Sequence, residues 1–102
     1  LDEAAQHRVR KRLKRLRYLA ELVGPLHEPA KVERYLVKLR PAQDGLGAHI
    51  DLLVGLKMAG EAASHGDAKA WFNVGWLTAQ LPASARRCRR ALARASAARR
   101  FW

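Results

Sequence analysis

The chain has 102 residues, nearly half of them hydrophobic, and a formal charge of +11. That is enough for one small domain with a modest core and too little for two. The charge excess predicts an anionic partner, while the lack of an apolar run long enough to span a bilayer, or of a signal-peptide pattern, speaks against a membrane-spanning protein.

Ala, Leu, Arg and Lys dominate, a composition that favours helix. The first helix is expected over residues 2–23. Asp2 and Glu3 suit its start through the helix dipole, and Gly24-Pro25 ends it. Val9, Leu13, Leu16, Ala20 and Val23 recur at steps of three and four, so a helix stacks them on one face. His7, Arg10, Lys14 and Arg17 recur the same way and form a second stripe about a third of a turn away. Residues 7–18 hold seven Lys or Arg and no acid. This helix should therefore pack by one face and offer a row of cations beside it. Glu21 lies almost in line with the stripe and is placed to orient Arg17.

Pro29 suits the first turn of a second helix, expected over residues 30–43. Its inner face is Val32, Leu36 and Leu39, helped by Tyr35 and Leu46. Pro41 predicts a kink or an early stop, because it lacks an N–H and clashes with the preceding turn. Gly45 and Gly47 loosen the segment further. A third helix is expected over residues 48–63, with Ile50, Leu53, Val54, Leu56 and Met58 towards the core. Ser64-His65-Gly66-Asp67 is the clearest turn, with Asp67 as the next N-cap. In the last third, Trp71, Val74 and Leu77 give an apolar face, and Trp71 and Trp76 are read as core. Pro82 predicts another break. Leu81, Ala85, Cys88, Leu92 and Ala95 keep helical spacing, with Cys88 as a buried thiol. Arg86, Arg90 and Arg94 step by four along another face. The expectation is an all-α fold: an antiparallel bundle of four to five helices in one domain over residues 1–102.

The spacing His7-x-x-Arg10-Lys11-x-x-Lys14-x-x-Arg17-Tyr18 resembles the signature of the CHAD family, the conserved-histidine α-helical domain. So do Leu39-x-x-x-Gln43-Asp44-x-Leu46-Gly47-x-x-x-Asp51 and the ending Arg100-Phe101-Trp102. The resemblance covers essentially the whole chain and corresponds to the second half of such a domain. It implies half of a double helical bundle that binds inorganic polyphosphate through basic helices. By position it assigns phosphate contact to His7, Arg10, Lys14 and Arg17, with Lys11 nearby. Arg86, Arg90 and Arg94 join them on charge and periodicity alone. It also implies either a fragment lacking the first half or two copies pairing as a homodimer to rebuild the site, in the cytoplasm or at polyphosphate granules.

Other chemistry finds little support. His7, His27, His49 and His65 lack zinc-ligand spacing, and Cys88 has no second cysteine beside it. Asp44 and Asp51 read as helix-end or salt-bridge residues rather than an acid–base pair. No phosphate loop or nucleophile motif appears, and no cofactor is expected. The leading expectation is a non-enzymatic polyphosphate-binding module. The alternatives are a nucleic-acid-binding helical domain and the regulatory half of a triphosphate-hydrolysing protein.

Overall fold

A computed structural model describes residues 2–102. These residues form α1 (Glu3–Val23), a single 3-10 turn (Gly24–Leu26), α2 (Pro29–Ser64) and α3 (Ala68–Ala97), with no strand among them. The fold is all-α as expected, but it has three helices where four or five were predicted. The second and third predicted helices are one element, and α3 is not divided.

Both corrections have the same cause. Pro41 and Pro82 lie inside helices without ending them. Each is exposed, as are Val37 and Thr78 four residues earlier. The carbonyls that lose their helical partner therefore lie on the wet side, where water satisfies them and the helix can bow around its core. An interior proline costs about 3 kcal/mol in a helix. At Pro41 burial of Leu36, Leu39, Ala42 and Leu46 on the opposite side offsets that cost. The glycines expected to loosen this segment instead allow close approach. A Cβ on Gly45 would stand 3.7 Å from the Cys88 Cα and 4.0 Å from the Ala91 Cβ, so the α2 and α3 backbones run close together there.

The helix ends follow local rules. The Asp2 carboxylate accepts from the Ala5 N–H at 2.7 Å, and Asp67 accepts from the Lys69 N–H at 3.0 Å, so each caps the helix that follows it. Pro29 occupies the first turn of α2. At the other end of α2, Gly66 has φ +95°, the Gly66 N–H donates to the Ala63 carbonyl, and the Asp67 N–H donates to that of Ala62. This is a Schellman ending, and its left-handed residue wants no Cβ. Gly66→Ala should therefore lower stability by about 1–2 kcal/mol, read as a lower urea midpoint at unchanged m-value. An unchanged midpoint would show that the turn relaxes to another conformation.

α2 is the spine. Its 36 residues give a length of about 54 Å at 1.5 Å per residue, close to the molecule's longest dimension of 57 Å. α1 and α3 each pack on α2, and no Cα of α1 comes within 8 Å of one in α3. The core lies where the two converge on α2. It comprises Leu13 and Ala20 from α1; Tyr35, Leu36, Leu39, Ala42, Leu46 and Ile50 from α2; and Cys88 and Ala91 from α3. Cys88 is buried as expected, and burial pushes its thiol pKa up against the pull of Arg89. His49 Nδ1 and Ser84 Oγ, 2.9 Å apart, tie α2 to α3.

After α3 the chain folds back. Phe101 is buried in edge-to-face contact with Tyr35 at 5.5 Å and His27 at 5.2 Å, between centroids. At the opposite end, α2 and α3 run past α1 and form a hairpin on their own. Met58, Trp71, Phe72 and Trp76 are exposed there, contrary to the core positions predicted for Met58 and the two tryptophans, and Val54, beside the start of α1, is also exposed rather than in the core. The reason is length. At 21 residues α1 is much shorter than α2, and the partner that an apolar face presupposes is not there. No helix among the described residues is long and apolar enough to cross a membrane.

Candidate anion-binding surface

The basic stripe of α1 lies along its seam with α2. Leu13 and Ala20 are buried, which fixes the rotation of α1 and leaves His7, Arg10 and Lys14 exposed and Arg17 half-buried beside the seam. Arg17 is held on both sides: its Nε donates to Glu21 Oε1 at 3.0 Å, and Nη1 donates to Gln43 Oε1 at 3.4 Å. Glu21 thus plays the orienting part its spacing suggested. Further along, the missing side chain of Gly47 leaves space for Arg10, whose Nη2 lies 3.8 Å from where a Cβ would be. Gln43 and Gly47 therefore form a ledge under the stripe, so residues far apart in sequence belong to one surface.

The remaining members differ in setting. The Lys14 ammonium stands 5.9 Å from the centroid of the Tyr18 ring, a cation–π contact that steadies the side chain without cancelling its charge. His7 lines a cleft of about 440 Å³ that also takes in His49 and Lys57 from α2. Lys11 shares a shallow depression on α1 with Lys14, Arg15, Tyr18 and Leu22, so it adjoins the row at Lys14. Among the described residues, Arg17 is the only cation of the stripe in an ion pair with an acid. Arg10 and Lys14 therefore remain available to an incoming anion.

The α3 arginines form a second basic surface, with a change of membership. Arg87, Arg90 and Arg94 line a groove of about 340 Å³ with Pro41, Gly45 and Ala48 of α2. Arg86, grouped with Arg90 and Arg94 by its step of four, does not line the groove, whereas Arg87 does. A step of four follows α3 in isolation, whereas the rotation that buries Cys88 and Ala91 selects a stripe at steps of three and four.

Asp44 and Asp51 are exposed, lie within α2 rather than at its ends, and have no ion-pair partner among the described residues, contrary to the expected helix-end or salt-bridge role. No group of three or more His, Cys, Asp or Glu among those residues is arranged to hold a metal ion.

The CHAD domain family model matches residues 1–60. That span contains the stripe, Glu21, and the ledge residues Gln43 and Gly47. The α3 arginines and Arg100-Phe101-Trp102 lie beyond it. No curated protein and no solved structure matches the chain. With more than half of its length matched, and with the two matched basic and Gln/Gly motifs meeting across the α1–α2 seam, the chain belongs to the CHAD domain family.

Proposed function

We propose that this chain is a non-catalytic module that binds inorganic polyphosphate along the α1 stripe. The observation that carries the reading is the seam itself, where Gln43 and Glu21 hold Arg17 and Arg10 reaches over Gly47, with Lys14 exposed between the two arginines on α1. From His7 to Arg17 the row rises about 15 Å, enough for several consecutive phosphates. Arginine offers a planar fork for phosphate oxygens, and release of counterions from the polymer adds to affinity. Membership of the CHAD family, which is associated with polyphosphate binding in general, supports the same reading. The non-catalytic part rests on the carboxylates: Asp44 and Asp51 are separated by about 10 Å of helix and face solvent.

Nucleic acid is the second reading, favoured by the exposed Trp71, Phe72 and Trp76 at the hairpin tip. Competition separates the two. With labelled single-stranded DNA bound, long-chain polyphosphate should displace it at far lower phosphate concentration than unlabelled DNA does. Equal displacement per phosphate would favour the nucleic-acid reading. Release of phosphate from tripolyphosphate with Mg²⁺ or Mn²⁺ would overturn the non-catalytic assignment.

A further inference from the structure

A cleft of about 570 Å³ lies away from the α1 stripe, between the start of α2 and the tail that follows α3. Its size falls within the range of small-molecule sites. One wall is Lys31, Arg34 and Lys38, at steps of three and four along α2, and the other is Arg99 and Arg100 of the tail. No acidic residue lines it. The nearest pairing, Lys31 with Glu28 at 3.5 Å, joins two side chains more than half exposed and holds the lysine only weakly. Among the described residues, Lys38 and Arg99 are in no ion pair.

The cleft is more than a cationic patch, because three aromatic residues line it as well. Trp102 is 55% exposed, and T-shaped contacts with Tyr35 at 5.3 Å and Phe101 at 5.0 Å hold its ring plane. The Arg100 guanidinium stands 5.8 Å from the Trp102 centroid, joining the cationic and aromatic parts of the site. The Tyr35 ring is buried while the residue still lines the cleft, and it has no hydrogen-bonding partner among the described residues. Five cations beside a half-open indole match a ligand with phosphates at one end and a flat ring at the other.

We infer that this cleft binds a nucleotide, its phosphates against Lys31, Arg34 and Lys38 and its base on Trp102. Inorganic phosphate chains satisfy only the cationic wall, so the ring is what distinguishes this site from the α1 stripe. The site is independent of the proposed stripe, and the test removes the stripe from view.

Calorimetry on the full chain carrying Arg10→Ala, Lys14→Ala and Arg17→Ala should show magnesium-free adenosine triphosphate binding about tenfold more tightly than inorganic tripolyphosphate, the expected contribution of one stacked base. Adding Trp102→Ala should erase that advantage and leave tripolyphosphate unaffected. Adding Lys31→Ala with Lys38→Ala should weaken both ligands. Trp102 is half exposed and both lysines are exposed, so helical content should persist in each variant, checked by circular dichroism. Equal binding of the two ligands, an advantage that survives Trp102→Ala, or no binding by either would overturn the inference.

Discussion

Replacing Arg10, Lys14 and Arg17 together by alanine is expected to weaken polyphosphate binding by at least about a hundredfold at fixed salt, since three phosphate contacts at about 1 kcal/mol or more each are lost. The helix itself should survive. Arg10 and Lys14 are exposed, and the Arg17–Glu21 pair, with side chains 36% and 43% exposed, contributes little to stability. Alanine is the best helix former, and removing the like charges of Arg10 and Lys14 four residues apart relieves a few tenths of a kcal/mol. The control is Arg8, Arg12 and Arg15 changed to alanine. All three are exposed on α1, and their loss gives the same net charge, +11 less 3, or +8. If both triple variants lose affinity equally, bulk charge and not the stripe carries the binding. If the stripe variant binds as before, the proposal fails outright. Within the stripe, Arg10 and Lys14 should matter more than Arg17, which already shares its charge with Glu21.

The largest expected effect on stability is that of Leu46→Ala. Leu46 is 1% exposed, the one large side chain fully enclosed among the described residues, and it sits where α1 and α3 converge on α2. Truncating a buried leucine costs about 2–5 kcal/mol through lost burial and the cavity left behind. For a domain of this size that is a large share of a total of about 5–15 kcal/mol, and the thermal midpoint should fall by roughly 10 °C or more. Leu22→Ala makes the comparison, because Leu22 is 76% exposed and should change the midpoint by little. A Leu46→Ala midpoint within a degree or two of the parent would mean that α1 and α3 do not close over this position.

What was legible in the sequence was whatever depends on neighbours along one helix. Asp2 and Asp67 read as caps because a cap is set by its own next three residues. The Gly66 turn, the buried faces of α1 and of the start of α2, and the buried Cys88 followed from spacing. The failures share a different origin. Pro41 and Pro82 look like breaks until it is known which side of the helix faces water. Trp71 and Trp76 look like core until α1 proves too short to reach them. That the groove takes Arg87 with Arg90 and Arg94, and not Arg86, depends on the rotation that the packed face of α3 imposes. Lys31, Arg34 and Lys38 drew no attention, since their meaning depends on a tail more than 60 residues later in the chain. The stripe was readable from periodicity, whereas its ledge at Gln43 and Gly47 needed α2 laid beside it.

The contact of Phe101 with His27 and Tyr35 bears on how the chain reaches this state. His27 and Phe101 are 74 positions apart, and closing a flexible loop of that length costs on the order of 4 kcal/mol in chain entropy. Once α2 and α3 stand side by side as a hairpin, most of that chain is already ordered, and only a few tail residues remain to be placed. Forming the aromatic contact after that hairpin therefore costs far less chain entropy than forming it first.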